Sequence, residues 1–301
     1  MQRDSISNTF IVAASLCLIC SLLVSAAAIQ LKPRQDKNSE LYRKRNVLDV
    51  AGLERKAVES AGGVERVFSE RVTDLIVDLR TGDEAPAALV AAMKADGPAN
   101  ANLTEAGAIA KYNPLRVAKN SKSPSQNKDL ATPFENKKED LAGIGAGREN
   151  FAHVYVYRAS SESEAVYIFP IRGLGLWSTL HGFVALKDDL KTVAGITFYE
   201  HGETPGLGGE IENPNWKAKW PGKQVFGNGP DVELKVIKGT ADPADTHAID
   251  GLSGATITSN GVSNIVKFWL GPKGFGPFIT KHSNVGMDVQ TKRDTNLSPA
   301  K

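Results

Sequence analysis

A threonine hydroxyl inside a turn of small residues is the part of this sequence best suited to covalent chemistry. The turn reads Asp250-Gly251-Leu252-Ser253-Gly254-Ala255-Thr256. Apolar residues recur after it at spacings of three and four, which predicts a helix beginning close to Thr256, with Thr258 and Ser259 as natural caps of its first turn. Unpaired N–H groups and the positive end of the dipole make a helix N-terminus favourable for a phosphoryl group. The Thr256 hydroxyl is therefore a candidate to carry a phosphate ester.

The same turn nearly matches the nucleophile elbow of serine hydrolases, with Ser253 as the nucleophile. Such an elbow needs a hydrophobic strand running into it, whereas residues 239–247 have the composition of a loop. The hydrolase order also requires an acid and then a histidine downstream, and only His282 follows, with no acid between it and the helix. The sequence therefore favours a phosphate carrier and assigns no catalytic nucleophile, acid or base.

Two glycine-rich loops elsewhere in the chain have the composition of a binding site for a flat ring. They cover residues 173–178 and 201–210, and each follows a predicted strand. Glycines let the backbone approach a ring, leucine and tryptophan offer apolar surface, and glutamate and threonine offer hydrogen bonds. Either loop alone is equally consistent with a tight glycine turn. The candidate contacts are Leu176, Trp177, Glu203, Thr204 and Gly208 in the loops, and Asp250, Ser253, Gly254 and Ala255 beside Thr256.

The elements that would position these residues form an α+β domain. A polar tip at residues 160–164 lies between two runs of β-branched and aromatic residues, which predicts a β-hairpin. The predicted strands are residues 154–157, 165–169, 183–186, 193–199 and 232–237; residues 38–50 are helix-like, and residues 64–79 combine a short helix with a strand. We expect one domain with a largely antiparallel, twisted sheet flanked by helices.

Two stretches carry little of this pattern. Residues 84–150 are rich in Ala, Lys, Asn, Ser and Pro and have little hydrophobic period. They are interpreted as a variable, mobile insertion with isolated helical turns, away from the chemistry. Residues 284–301 form a polar C-terminal tail.

The N-terminus contains a candidate membrane anchor. No charged residue occurs between Asp4 and Lys32, and residues 10–29 form an apolar run long enough to cross a hydrocarbon layer of about 30 Å as a helix. A cleavable signal peptide is the alternative, because small-residue cleavage sites occur at residues 24–28. The apolar run exceeds the usual signal core of about 7 to 15 residues. The sequence therefore predicts a retained transmembrane helix over residues 10–31, preceded by a short segment at residues 1–9.

Composition excludes several classes of function. Hydrophobic residues make up 41% of the chain and the formal net charge is +2, with no basic stripe suited to nucleic acid. The only cysteines, Cys17 and Cys20, lie inside the apolar run, where they are interpreted as packing residues. The five histidines show no short metal-binding spacing. We expect no protein-bound metal and no nucleic-acid partner.

The threonine turn resembles the motif of proteins that hold FMN by a phosphoester bond to the last threonine of Ser-Gly-Ala-Thr. The whole chain resembles the NqrC family, the covalent-FMN subunits of the sodium-translocating NADH:quinone reductase of the bacterial inner membrane. Five segments carry the resemblance: the anchor ending in Val-Ser-Ala-Ala-Ala, Gly-Leu-Trp-Ser, Tyr-Glu-His-Gly-Glu-Thr-Pro-Gly-Leu-Gly-Gly-Glu, Asp-Gly-Leu-Ser-Gly-Ala-Thr and Phe-Trp-Leu-Gly-Pro-Lys-Gly-Phe-Gly-Pro-Phe. Residues 84–150 do not align with the family's pattern.

The resemblance implies an electron relay that carries covalent FMN on Thr256, attached by a separate flavin transferase. It implies a complex of six subunits that passes electrons from NADH to ubiquinone and exports sodium. Residues 1–9 would be cytoplasmic, and residues 32–283 would form a periplasmic FMN-binding domain. The charge pattern conflicts with that orientation, because six basic residues follow the span between residues 32 and 45 and only Arg3 precedes it. We follow the resemblance on this point.

Two alternatives remain open at this stage. The first is the corresponding subunit of the related ferredoxin:NAD reductase complex, which shares the threonine motif and the topology. The second belongs to another class: a membrane-anchored module for scaffolding or for reversible binding of a small molecule in the glycine loops. Covalent flavin separates this second alternative from the other two, because a reversible ligand adds no mass to the denatured chain.

Overall fold

The computed structural model describes residues 6–96, 112–119 and 130–283. The chain divides into two compact units, with the boundary between Arg45 and Asn46. Helix α1, Ile6–Val50, is 45 residues long and belongs to both units. In the described part of the chain it is the one helix long and apolar enough to cross a membrane.

Helix α1 joins two segments that were predicted separately, residues 10–31 and residues 38–50. The junction contains Pro33, which lies inside the helix. The residues next to Pro33 are mostly good helix formers. Ion pairs with a spacing of four residues join Lys32 to Asp36 and Lys44 to Glu40. These pairs support continuation of the helix through the polar stretch.

A five-stranded antiparallel sheet forms the centre of the second unit, and it confirms the predicted α+β class. Helices α2, Arg55–Ser60, and α3, Val64–Arg71, precede the first strand. The strands of the sheet are β1, Val72–Asp78; β4, Phe151–Tyr157; β5, Val166–Leu174; β6, Thr179–Leu186; and β7, Val193–Glu200. Their order is β1-β4-β5-β6-β7, and each strand pairs antiparallel with its neighbours.

Helices cover both faces of the sheet. Helix α7, Thr256–Leu270, packs against β5, and its apolar stripe is buried, as the spacing predicted. The other face packs against α2, α3 and the last turn of α1, through residues such as Val47, Leu48 and Val58. All seven residues of β4 are buried, since this strand has a layer on each side.

Residues 84–150 contain more packed structure than the sequence predicts. Their described parts form α4, Pro86–Asp96; α5, Pro114–Lys119; and a pair of strands, β2, Ala131–Pro133, and β3, Gly147–Glu149. The Tyr112 hydroxyl donates to the Phe151 carbonyl over 2.7 Å within a small apolar cluster beside β1 and β4. The interpretation as isolated turns was wrong for these residues, because their apolar contacts come from distant positions and leave no local period. Residues 1–5, 97–111, 120–129 and 284–301 lie outside the described residues, and the predicted polar tail falls among them.

The predicted strand at residues 232–237 was too long. Strand β8 contains only Lys235–Val236 and pairs parallel with β9, Ala248–Ile249. Burial alternates along the segment as in a strand, but the N–H groups of Glu233 and Leu234 donate to the Val225 carbonyl instead of to a ladder. Within the described residues, the remaining helices are a 3-10 turn at Gly208–Glu212, α6 at Pro214–Lys217 and a helix over residues 276–283.

Candidate functional site

Thr256 is the first residue of helix α7, and its side chain is exposed. Ala255 occupies the N-cap position, with φ −128° and ψ 49°, and makes no side-chain cap. Gly254 before it has φ +70°, a left-handed conformation that favours glycine, and an added Cβ would lie 2.9 Å from Leu207 Cδ2. The turn therefore presents the Thr256 hydroxyl to solvent at a helix N-terminus without an N-cap side chain.

The predicted caps were wrong. Thr258 and Ser259 are buried inside the first turn of α7. The Ser259 hydroxyl accepts from the Leu252 N–H over 3.1 Å, and the Thr258 hydroxyl donates to Glu203 Oε2 over 2.6 Å. A cap must precede the helix, and α7 begins two residues before Thr258. These hydroxyls therefore connect the first turn to the protein interior.

The Glu203 carboxylate connects the two glycine loops and helix α7. It is buried and accepts the backbone N–H groups of Leu176, Trp177 and Ser178 at 3.2, 2.9 and 3.3 Å. Burial alone would raise the pKa of this carboxyl, but the hydrogen bonds from Thr258 and the three N–H groups lower it on balance. Glu203 is therefore held as an anion between the β5–β6 loop and the first turn of α7.

Two glycines make room for this carboxylate. A Cβ at Gly175 would lie 2.7 Å from Glu203 Oε1, and a Cβ at Gly208 would lie 2.6 Å from Glu203 Oε2. The Gly208 position would also bring a Cβ within 2.7 Å of the Thr258 hydroxyl oxygen. The glycines of these loops were predicted to make room for a bound ring, whereas the close neighbour of these two is a carboxylate.

Exposed apolar side chains occur on the elements that meet at the first turn of α7. Trp177 is 70% exposed, and Leu176, Leu207 and Ile257 are exposed as well. The β5–β6 loop lies directly on the helix, since a Cβ added at Gly261 would be 3.4 Å from the Gly175 Cα. Leu176 and Trp177 were predicted from the sequence. Leu207 and Ile257 were missed, although both are large apolar residues beside glycines or the motif threonine.

Asp250 joins the threonine turn to two distant segments of the chain. Its carboxylate pairs with Lys219 and accepts the Ala241 N–H over 2.9 Å, and its backbone carbonyl accepts the Trp216 indole N–H over 2.9 Å. The hydrogen bond from Lys219 and the bond from Ala241 lower the pKa of the Asp250 carboxyl. Sequence reasoning missed Lys219 and Trp216 because they lie about thirty residues away and have no motif of their own.

The remaining candidates lie on the surface of the same region. Thr204 is exposed, and its carbonyl accepts from the Leu207 and Gly209 N–H groups, which shapes the second loop. Ser253 is also exposed in the turn before α7. Glu203 lies in the second loop and accepts hydrogen bonds from the β5–β6 loop and from Thr258. Gly175 and Gly208 lie close to its carboxylate. The structure therefore brings the two predicted loops to the first turn of α7.

Two further observations on the described residues bear on function. No group of three His, Cys, Asp or Glu side chains in residues 6–96, 112–119 and 130–283 could hold a metal ion. A cleft of about 420 Å³ lies farther along α7 and contains none of the predicted site residues. It is lined by Val232, Glu233, Leu234, Lys235, Asp245, His247, Ser263, Asn264 and Lys267.

Comparison with known proteins places this site in a family. The FMN-binding domain family matches residues 175–271, which include the β5–β6 loop from Gly175 onward, Glu203 and Thr256. The chain is 40% identical over 281 residues to the NqrC subunit of the Na(+)-translocating NADH-quinone reductase of Pseudomonas aeruginosa, covering 92% of this chain and 96% of that protein. Identity to the same subunit of Yersinia pestis is 41% over 280 residues, covering 93% and 94% of the two chains.

A solved structure gives the same result. The crystal structure of Shewanella oneidensis NqrC matches with a TM-score of 0.65 and 28% identity, covering 83% of this chain and 99% of that one. The likeness therefore extends over the fold as well as the sequence. This chain belongs to the NqrC family of subunits of the Na(+)-translocating NADH-quinone reductase.

Proposed function

We propose that this chain is the electron-relay subunit of a sodium-translocating NADH:quinone reductase and that it carries FMN on Thr256 through a phosphoester bond. The observation that carries the proposal is the exposed Thr256 hydroxyl at the first position of α7, inside a region that matches the FMN-binding domain. Family membership supports the relay role, since the relatives are subunits of a reductase.

The residues present fit both halves of an FMN molecule. The phosphate end would lie at the N-terminus of α7, where the N-cap residue offers no side-chain hydrogen bond and the helix dipole favours negative charge. The ring end would find apolar side chains within the same region, including Trp177, Leu176, Leu207 and Ile257. A small-residue turn leaves space for the linkage, because Ser253 and Gly254 are exposed and short.

Flavin supplies the electron-transfer chemistry when it is bound, and the protein supplies attachment and orientation. The Thr256 hydroxyl attaches the group at a defined point of a rigid helix. Asp250 braces the turn through Lys219 and the Ala241 N–H. No residue of the site is assigned a proton-transfer role, which suits a relay that only accepts and releases electrons.

Attachment requires a second protein. An exposed hydroxyl beside Gly254 and Ser253 is accessible to an enzyme, and a flavin transferase would form the phosphoester there by transferring the FMN part of FAD to the hydroxyl, with AMP as the leaving group. The other partners are the remaining members of a membrane complex of six subunits. Three of the four exposed apolar side chains available to the ring lie in the two glycine loops, so the region around Trp177 is the surface on which flavin would be accessible to those partners.

The chain is anchored by one helix, and we assign its second unit to the periplasm. The family membership and the length of the apolar part of α1 support a retained single-pass anchor. The basic residues after the span oppose this orientation, because the positive-inside tendency counts Lys and Arg and gives little weight to Asp and Glu. The orientation is therefore proposed from family membership, against the charge pattern.

The test is a pair of substitutions at the attachment residue in the full chain, coexpressed with a flavin transferase. Thr256→Ala removes the hydroxyl, and we expect no flavin fluorescence on the denatured chain in a gel. Thr256→Ser keeps a hydroxyl and is expected to retain at least part of the label. Both variants should fold, because substitution of an exposed side chain changes stability by only about 0.5 kcal/mol. Fluorescence that persists in Thr256→Ala would refute the attachment site.

The alternatives are less well supported. The relatives are subunits of the sodium-translocating NADH-quinone reductase, which favours this complex over the ferredoxin:NAD reductase. A reversible binding module would release its ligand on denaturation, so the same gel also separates that alternative from covalent attachment.

A further inference from the structure

Three consecutive backbone N–H groups of the β5–β6 loop converge on one side chain. Leu176, Trp177 and Ser178 all donate to the Glu203 carboxylate, and the Thr258 hydroxyl on α7 donates to it as well. Backbone N–H groups arranged in this way form a binding site for an anion. Here the anion is supplied by the protein itself.

Hydrogen-bond donors of the protein occupy the acceptor positions of the Glu203 carboxylate. Oε1 accepts from Trp177 and Ser178, and Oε2 accepts from Leu176 and Thr258. A carboxylate has about four lone-pair positions, and the residue is only 5% exposed. A direct hydrogen bond to a bound ring, which the sequence predicts, would have to replace one of these four donors.

The surrounding backbone is built around this charge. Gly175 and Gly208 approach the two carboxylate oxygens from opposite loops, at positions where a Cβ would lie 2.7 and 2.6 Å away. The loops are also joined directly, since the Ser178 hydroxyl accepts the Gly202 N–H over 2.6 Å. The contacts thus hold the β5–β6 loop, the loop after β7 and α7 in one arrangement.

We propose that Glu203 is a positioning residue whose buried carboxylate fixes the β5–β6 loop on the first turn of α7 and so sets where Leu176 and Trp177 stand relative to Thr256. The consequence for flavin rests on the proposed function. The junction of loop and helix does not, because it is made of protein atoms only.

The fixed charge has a second consequence for a flavin attached two residues before Thr258. Adding an electron close to a carboxylate is electrostatically unfavourable, so Glu203 lowers the tendency of the flavin to be reduced. Glu203→Gln keeps the shape of the side chain and removes the charge. The variant is therefore expected to shift the flavin midpoint potential to a more positive value.

The first experiment measures amide hydrogen exchange in the full chain carrying Thr256→Ala, so that the result does not depend on flavin. Peptides covering residues 175–179 should exchange about tenfold faster or more after Glu203→Gln, because hydrogen bonds to a charged acceptor are lost. Glu200→Gln is the matched control, since this glutamate is exposed at the end of β7. Unchanged protection after Glu203→Gln would overturn the proposal.

Variants of Thr258 keep the proposal testable if Glu203→Gln does not fold. Thr258→Val removes the hydroxyl donor at nearly constant volume and should also accelerate exchange of residues 175–179, whereas Thr258→Ser should restore protection. Equal exchange in the valine and serine variants would contradict the link between loop and helix.

The second experiment measures the midpoint potential of the flavinylated full chain. Glu203→Gln should shift the potential to a more positive value, and Glu200→Gln should shift it less. An unaltered potential in a flavinylated Glu203→Gln chain would refute the effect on flavin. Failure of the proposed function has a different signature, because the unsubstituted chain would then carry no flavin while the exchange result would stand.

Discussion

Single residues at this site divide two tasks between them. Thr256 is exposed and offers a hydroxyl at the start of a helix, whereas Glu203 is buried and holds the neighbouring loops. Asp250 does for the threonine turn what Glu203 does for the glycine loops, because its carboxylate also joins segments that are distant in the chain. The hydroxyl proposed to carry FMN is thus separate from the carboxylates that hold the turn and the loops.

Gly208 offers a test of this packing at the residue scale. Gly208→Ala would place a Cβ 2.6 Å from Glu203 Oε2 and 2.7 Å from the Thr258 hydroxyl oxygen. Forcing an extra methyl group into a packed site costs about 1–3 kcal/mol. We expect a lower thermal unfolding midpoint for the full chain. The control is Gly229→Ala, where nothing lies within 4 Å of the added Cβ; an equal effect of both substitutions would contradict the packing argument.

The types of the site residues were predictable from the sequence, but several of their roles were not. Thr256 was proposed as the attachment residue from its small neighbours and the helical stripe behind it, which are local features, and the predicted start of the helix is confirmed. The burial of Glu203 and its bond to Thr258 depend on a contact across 55 positions. Sequence reasoning therefore assigned Glu203 to the ligand and Thr258 to a cap, because no local pattern shows which groups meet.

Helix α7 and the β5–β6 loop are the two elements that carry the candidate site residues Thr256, Leu176 and Trp177. The helix is anchored in the core by residues such as Val262 and Ile265, which are fully buried, while its first residue remains exposed. The loop begins where β5 ends at Leu174 and is held at the same end of the helix. Motion of the loop relative to α7 is therefore limited by the junction at Glu203.

This junction should depend on pH. The pKa of the Glu203 carboxyl is lowered in the folded protein, because the hydrogen bonds from Thr258 and the loop outweigh the effect of burial. A lowered folded-state pKa means that the stabilisation is present above the ordinary value, about 4, and is lost as the pH falls through the folded-state value.

We therefore expect the thermal midpoint of the unsubstituted chain to fall more steeply below about pH 4 than that of Glu203→Gln, whose side chain does not titrate. The comparison isolates Glu203, because Asp250 and Asp189, whose carboxyl pKa values are also lowered, are present in both chains. Parallel curves for the two chains would show that the Glu203 anion does not stabilise the fold.

At the element scale, the sequence predicted structure where the pattern was local. The β4–β5 hairpin and α7 follow from alternation and from helical spacing, and both are present. Strand β8 was predicted too long because buried and exposed residues alternate even at Glu233 and Leu234, where the backbone N–H groups donate to the Val225 carbonyl. The cluster that includes Leu89, Tyr112 and Phe151 was missed because its members come from separate segments.

The whole molecule combines one apolar helix with one α+β unit. The proposed covalent link would suit the proposed periplasmic location, because a cofactor that dissociated there would be diluted and lost. The chain is also a poor ion path by itself, since the apolar run of α1 from Phe10 to Ile29 contains no charged residue.

The periplasmic orientation can be tested by labelling. Ser161→Cys places a thiol on the exposed β4–β5 turn, whereas Cys17 and Cys20 lie in the apolar part of α1. A membrane-impermeant maleimide should label the variant in intact spheroplasts and leave the unsubstituted chain unlabelled. Labelling that appears only after the membrane is disrupted would place the domain in the cytoplasm, as the charge pattern predicts.

The most direct test of the central claim is the mass of one peptide from the chain purified from its native membrane. Trypsin cleaves after Lys238 and Lys267, so Thr256 lies in a peptide of residues 239–267. Esterification by FMN should raise the mass of this peptide by about 438 Da, with the fragment ions placing the addition on Thr256. A peptide recovered only at its unmodified mass would contradict the account.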